Sequence, residues 1–248
     1  MLRSHVGTGR LRDPFIIRDQ RGGFHALWTD GWESSSIGCA SSTDLIHWEN
    51  QRLLPVMAHV PGVMNCWAPE AYWDEAAGNY RIIWSSTVLE PGEEKRRDHR
   101  IWSVQTADFT SCSAPSVFFD PGYNVIDGTV TELEDRFVML FKDERGSNEA
   151  GTDNKAIRSI SWEKSMTALP RDIEPSGLLT PALTEGPTMY RTPNGKWIML
   201  YDAFQDGHYS GICSDDLSAW EPLGARLQLP QGCRHGSVMK LDADIMMR

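Results

Sequence analysis

RDPF at 12–15, APEA at 68–71, IDGT at 126–129 and TEGPT at 184–188 are the stretches on which the reading of this chain turns. They place Asp13, Glu70, Asp127 and Glu185 at intervals of 57, 57 and 58 residues, and RHGS at 234–237 adds His235 after a further 50. Self-similarity at a fixed period is the signature of a repeat architecture. If each repeat is one sheet around a common axis, these five side chains converge on one spot. Carboxylates gathered in one place repel each other and shift each other's pKa values. That is costly for a fold, so chemistry or a cation is the expected reason for it.

Outward from these motifs, each repeat reads the same way. A polar turn follows the carboxylate strand: RDQRGG (18–23), DEAAGN (74–79), LEDR (133–136) and TPNGK (192–196). Next comes an aromatic and β-branched run: FHALW (24–28), YRIIW (80–84), FVMLF (137–141) and WIMLY (197–201). These are strand signals bounded by hairpin signals. A third strand and a closing segment complete the unit, with Asp44, Asp108 and Asp216 in matching places; the third repeat's counterpart, 162–170, is degenerate. Four strands per repeat is a propeller-blade pattern, and no stretch keeps helical periodicity over three turns. The expectation is an all-β, five-bladed β-propeller spanning residues 1–248 as a single domain, with a central pocket. Only 13 residues follow His235, so the fifth blade is short, and residues before Leu11 are expected to complete it. Two long polar loops, 86–100 and 142–155, are surface loops that can also rim the mouth of such a ring.

Composition narrows the function. The formal charge of −10 disfavours a nucleic-acid or anionic-membrane partner. No run approaches 18 apolar residues, so no membrane span is expected. Five cysteines without a CxxC pair support neither a disulfide framework nor a zinc site. Free cysteines fit a reducing compartment, and Met1 leads into LRSHVGTGRLRDPF without an apolar core, so the expected location is cytoplasmic. A secreted form that had lost its leader would read the same. Ten tryptophans suit a site that stacks on sugar faces, although blade cores also use indoles.

Asp and Glu before Gly or Pro are common turn residues, and one such motif alone would read as a turn. Turn chemistry does not require a carboxylate in every repeat, however. Asp13, Asp127 and Glu185 on blades 1, 3 and 4 would flank a pocket, as glycosidic hydrolysis requires: an acid for the leaving oxygen and a base or nucleophile on the opposite face. A third carboxylate can hold the acid's pKa up by repulsion.

At these residues the chain resembles glycoside hydrolase family 43, the five-bladed propeller arabinofuranosidases, xylosidases and arabinanases. The matching stretches are LRDPF (11–15), WAPEAYW (67–73), VIDGTV (125–130), LFKDE (140–144), TEGPTM (184–189) and CRHGSV (233–238), in the family's order. The resemblance implies inverting hydrolysis, with Asp13 as general base, Glu185 as general acid, and Asp127 orienting the acid and raising its pKa. It also implies a calcium ion or its waters near His235, and no other cofactor. Further substrate contacts are expected from Trp67, as a wall of the sugar site, from Phe15 and Phe204 by stacking, and from Lys142, Arg234 and His235, with Glu70 as a supporting anchor. The implied activity is exo-acting removal of α-L-arabinofuranosyl groups from pentose-containing plant oligosaccharides, with a β-xylosidase as the alternative. Three rivals stay open on the residues alone. One is a non-catalytic sugar-binding propeller. Another is a retaining fructosidase-like enzyme, although Arg12 precedes Asp13 and Gly186 follows Glu185 where those enzymes carry Asn and Cys. The third is a phosphorolytic enzyme using Arg234, His235 and Lys142. The chain alone sets no oligomeric state.

Overall fold

Four runs in this chain are apolar on both faces of a strand, and they are the second strands of four sheets. The structure, a computed structural model, describes residues 2–94, 96–146, 155–166, 168–170 and 172–241. The middle of the polar loop 142–155 and the end of the tail after His235 lie outside the described residues. The first sheet runs β1 (Arg12–Arg18), β2 (Phe24–Thr29), β3 (Ile37–Ser42), β4 (Glu49–Leu54). The second runs β5 (Trp67–Asp74), β6 (Asn79–Ser86), β7 (Arg100–Thr106), β8 (Ser116–Phe119). The third has β9 (Val125–Glu132), β10 (Arg136–Asp143) and β11 (Ala156–Glu163). The fourth has β12 (Glu185–Arg191), β13 (Trp197–Ala203), β14 (His208–Ser214) and β15 (Glu221–Pro222). All pairings are antiparallel between chain neighbours, as in propeller blades.

Both faces of an inner blade are covered by the next blade, so alternate residues of one strand feed two different cores. Ile82 and Trp84 of β6 join Leu27, Ile37 and Leu54 between the first and second blades. Ile83, one residue along, joins Phe137, Met139 and Phe141 between the second and third. Val138 and Leu140 then turn the other way, onto Met189, Met199 and Tyr201 of the fourth. The third blade has no fourth strand among the described residues, in keeping with its degenerate closing segment. Instead residues 176–180 run along β11, with Ser176 N donating to Ser159 O (2.8 Å) and Leu179 N to Ile157 O (2.8 Å). This covers an edge that would otherwise expose unpaired backbone groups.

Among the described residues the expected fifth blade is not formed: they make four blades, and none after Pro222 is in a strand. The segment from Leu227, broken by Pro230, Gly232 and Gly236, offers no alternating run. Its inner part still reaches the axis. Ile16 N donates to Ser237 Oγ (3.2 Å), Gly236 N to Tyr209 OH (3.4 Å), and Arg234 Nε to Asp202, so this segment bridges β1 to the fourth blade. The N-terminal residues do not complete a fifth sheet either. Leu2, Val6 and Leu11 cover the free face of the first blade at Ala26, Trp28 and Ala40. Arg3 O accepts from Gln51 Nε2 (2.9 Å), His5 N donates to Gln51 Oε1 (2.9 Å), and Thr8 N donates to the buried Asp30 (2.9 Å).

The motif register also needs correcting. At the head of every inner strand two residues oppose one, because the pairing shifts between Arg12 and Phe15, Trp67 and Glu70, Ile126 and Thr129, and Glu185 and Thr188. These are β-bulges. The first bulge residue is left-handed each time: Asp13 (φ 47), Ala68 (φ 47), Asp127 (φ 56) and Gly186 (φ 54). Pro14, Pro69, Gly128 and Pro187 follow them, and a bulge tolerates Pro because it needs no ladder N–H there. The true equivalents of Asp13 and Asp127 are therefore Ala68 and Gly186. Glu70 lies two residues deeper, and Glu185 one residue nearer the mouth.

Deleting residues 2–9 is expected to lower the melting temperature by roughly 4–8 °C. It uncovers the first blade's apolar face and strips Asp30 of its donor, a loss of about 2 kcal/mol. An unchanged melting curve would show that this segment does not stabilise the blade.

Candidate active site

The bulges decide what faces the axis. A left-handed residue at the strand head swings its side chain off the pleat, and Asp13 and Asp127 use this turn to reach one cavity. That cavity, of about 380 Å³, is lined by Asp13, Asp127 and Glu185 together with Lys142, His235, Trp67 and Phe204. The structure thus brings together the three carboxylates expected as the catalytic set and four of the expected substrate contacts.

Asp13 is held by its own blade, and Asp127 and Glu185 by neighbouring blades. Thr29 Oγ1 donates to Asp13 Oδ2 (2.9 Å) and accepts from Ala68 N (2.8 Å). Ser85 Oγ, the equivalent of Thr29 in the second blade, accepts from Asp127 N (3.1 Å). The third blade has Lys142 in that place, which cannot accept, so Asp127 Oδ2 takes the N–H of Gly186 instead (3.0 Å). His235 Nδ1 stands 3.6 Å from Asp13 Oδ1. Gly186 is required beside it: a Cβ there would come within 2.8 Å of the same Nδ1.

Lys142 Nζ donates to Glu185 Oε2 (2.8 Å), pairs with Glu144, and stands 4.6 Å from the Phe204 ring centroid. Burial opposes its charge, but Glu144, Glu185 and Asp127 outweigh that and hold the ammonium above its ordinary pKa. Glu144 is held below its ordinary range: burial works against ionisation, and Lys142 and Lys155 overcome it. Asp127 is pushed up to about 6, chiefly by burial; His235 and Lys142 offset part of this, and Glu185 and Asp13 add to it.

Other expected contacts lie elsewhere. Phe15 packs between the first and second blades. Arg234 is engaged by Asp202. Glu70 is buried below the cavity, one Oε without any hydrogen-bond partner. Burial raises its carboxyl to about 8; a hydrogen bond from Thr129 works against the rise and the Asp127 charge adds to it. Among the described residues no group of three or more His, Cys, Asp or Glu side chains is placed to hold a metal ion.

Sequence reasoning missed Arg12, Thr29, Trp32, Arg97, His99, Glu144 and Lys155, all on the cavity wall. Some signal was present. Arg12 belongs to the first motif, and the other charged residues come from the two polar loops marked as candidates to rim the mouth. Nothing in the sequence singled out Thr29 or Trp32. His99 is buried, which pushes it down to about 4, and its Nδ1 lies 2.8 Å from Thr87 Oγ1.

The raised Glu70 sets a pH dependence. The folded protein keeps its proton between the ordinary value of 4.5 and about 8, whereas the unfolded chain has released it. Stability from this group is therefore complete below pH 4.5 and falls as pH rises to about 8. Urea unfolding at pH 5 and pH 8.5 should show the wild type losing stability, with Glu70 contributing at most about 1.4 kcal/mol per pH unit. Glu70→Gln should abolish the fall between pH 6.5 and 8 and keep, below that, only the opposing contributions of Asp127, which favours the fold at low pH, and His99, which favours it at higher pH. Parallel pH profiles for the two proteins would show that Glu70 is ionised.

The fold and the cavity agree with what this chain is similar to. An α-L-arabinofuranosidase of Bifidobacterium longum subsp. longum is 26% identical over 229 residues, 82% of this chain and 20% of that protein. The chain thus spans about a fifth of the length of that curated relative. Among solved structures, a thermostable family-43 glycoside hydrolase superposes with a TM-score of 0.69 at 15% identity, over 92% of this chain and 78% of its own. The α-L-arabinofuranosidase of Podospora anserina, solved in complex with cellotriose, gives 0.64 at 17% identity, over 96% and 75%. At such identities the superpositions speak for the propeller fold alone. The family described as a probable glycosyl hydrolase domain, related to glycoside hydrolase family 43, matches residues 1–245, and the chain belongs to it.

Proposed function

We propose that this chain is the catalytic domain of an inverting glycosidase that removes α-L-arabinofuranosyl groups from pentose-containing oligosaccharides. The observation that carries this reading is the placing of Asp13, Asp127 and Glu185, from three different blades, on the wall of one cavity. The curated relative's name favours an arabinofuranoside over a xyloside.

In this reading Glu185 protonates the leaving oxygen and Asp13 activates the water on the opposite face of the sugar. Thr29 fixes one oxygen of Asp13 and leaves the other, near His235, to take the water's proton. Lys142 is positioned to stabilise the carboxylate that Glu185 becomes once its proton has left. Asp127 acts as a positioning residue: by accepting the Gly186 N–H it anchors the backbone that carries Glu185. Trp67 and Phe204 supply apolar walls for the sugar ring.

The test is kinetic and stereochemical. The wild type should hydrolyse 4-nitrophenyl α-L-arabinofuranoside faster than the β-D-xylopyranoside, and NMR of the first-formed sugar should show inverted anomeric configuration. Glu185→Gln should lose about 10²–10⁴-fold on oligosaccharides and much less on activated aryl glycosides, which need little protonation. Asp13→Asn should lose activity on both. Retained configuration would overturn the inverting assignment. A protein that binds arabino-oligosaccharides without cleaving them would overturn the catalytic one.

A further inference from the structure

Beside the carboxylate cavity lies a second one of about 300 Å³, and the two share Trp32, Trp67, Arg97 and His99. The shared wall is an aromatic pair. Trp32 is 48% exposed, its ring meets Trp67 edge-on at 5.3 Å, and Trp67 Nε1 donates to Trp32 O (3.0 Å). A half-exposed indole beside a polar cavity is a stacking surface for a sugar face. Two guanidinium groups flank the pair: Arg12 at 4.3 Å from the Trp32 ring centroid, and Arg97 at 5.3 Å from that of Trp67.

These two arginines stand apart from the other charges of the wall. Arg96 is paired with Glu93 and Asp98, Lys142 and Lys155 with Glu144, and Glu33 has a partner of its own. Among the described residues, neither Arg12 nor Arg97 has an ion-pair partner. In a chain of net charge −10 acidic partners are plentiful, so two unneutralised guanidinium groups on one wall run against the overall balance. Contact with a ring does not satisfy their N–H donors, and a guanidinium presents a planar fork that fits a carboxylate. The wall holds one more unmet polar atom: His99, 2% exposed, has its Nε2 buried without a partner.

We propose that this second cavity is a subsite for an acidic sugar, a uronic acid residue adjoining the one that carries the cleaved group. Its ring stacks on Trp32 and its carboxylate is held by Arg97, the unpaired guanidinium that lines both cavities, whereas Arg12 lines the carboxylate cavity alone. The inference rests on the glycosidase reading for the neighbouring cavity, and it adds a preference for acid-bearing chains.

The experiment compares two substrates: an arabinofuranosyl oligosaccharide with a glucuronic acid residue next to the arabinosylated sugar, and the same compound with that carboxyl reduced to the alcohol. The wild type should favour the acid by about tenfold in kcat/KM, carried mainly by KM, the factor expected of one charge-assisted contact. The preference should shrink in 0.5 M salt, because the pair is close to solvent. It should fall towards one in Arg97→Gln, with Arg97→Lys between the two. Equal rates for the two substrates in the wild type, or a preference that survives Arg97→Gln, would overturn the subsite and leave the glycosidase reading intact. If neither compound is cleaved, the glycosidase reading fails, and calorimetric titration with the same pair decides the subsite: about tenfold tighter binding of the acid supports it, and equal binding overturns it.

Discussion

The bulge at the head of each inner strand is the constraint from which the site follows. Asp13, Ala68 and Asp127 are not glycines, yet all three are held left-handed, at a cost of about 1–2 kcal/mol each. The surrounding structure must over-determine such a conformation, and for Ala68 and Asp127 it does so between blades, while Thr29 of the same blade holds Asp13. Ala68 N and Asp127 N are each anchored on a hydroxyl of the preceding blade, Thr29 and Ser85, and Gly186 N on Asp127 itself. The bonds that tie one blade to the next are thus the ones that aim the carboxylates. Where the supporting hydroxyl is replaced by Lys142, a carboxylate takes over as acceptor and the freed position delivers an ammonium to Glu185.

Electrostatics divides the acidic groups by depth. Glu70 and Asp127 are both buried and both raised, yet only Asp127 lines the cavity. Glu70, one step further in and lacking a partner on one oxygen, is kept neutral by its surroundings. A neutral acid beneath the site spares Asp127 a further negative neighbour. On the rim the balance is the reverse. Glu144 stays ionised although buried, because Lys142 and Lys155 hold it from either side. The cavity therefore has a paired, charge-balanced wall on the third blade and an aromatic wall with unneutralised arginines between the first and second.

Packing explains why the molecule tolerates such a polar centre. The apolar energy lies between blades, in three clusters built from alternate residues of the same central strands. Trp28 and Trp84 are fully buried in blade packing, while Trp32 and Trp67 border the cavities. The indole count of the sequence thus combined two populations with different tasks.

The periodic motifs, hairpin turns and two-sided apolar runs were enough to read a propeller from the residues alone, because strand period and turn chemistry are local. The three cavity carboxylates were legible for the same reason, since each sits in a short repeated motif. The register was misread at Glu70 and Glu185 because a bulge adds a residue without altering composition, and only the pairing partners reveal which residue is left-handed. Phe15 packs between the first and second blades because the bulge fixes how the strand after it is turned, and Arg234 is engaged by Asp202 of the fourth blade, a partner that no local pattern encodes. The number of blades followed from whether the residues around His235 find strand partners, which no local pattern encodes. Trp32 meets Arg97 and His99 only through tertiary packing: it comes from the loop between β2 and β3 and they from the loop between β6 and β7, so their joint wall exists only once two blades are set side by side.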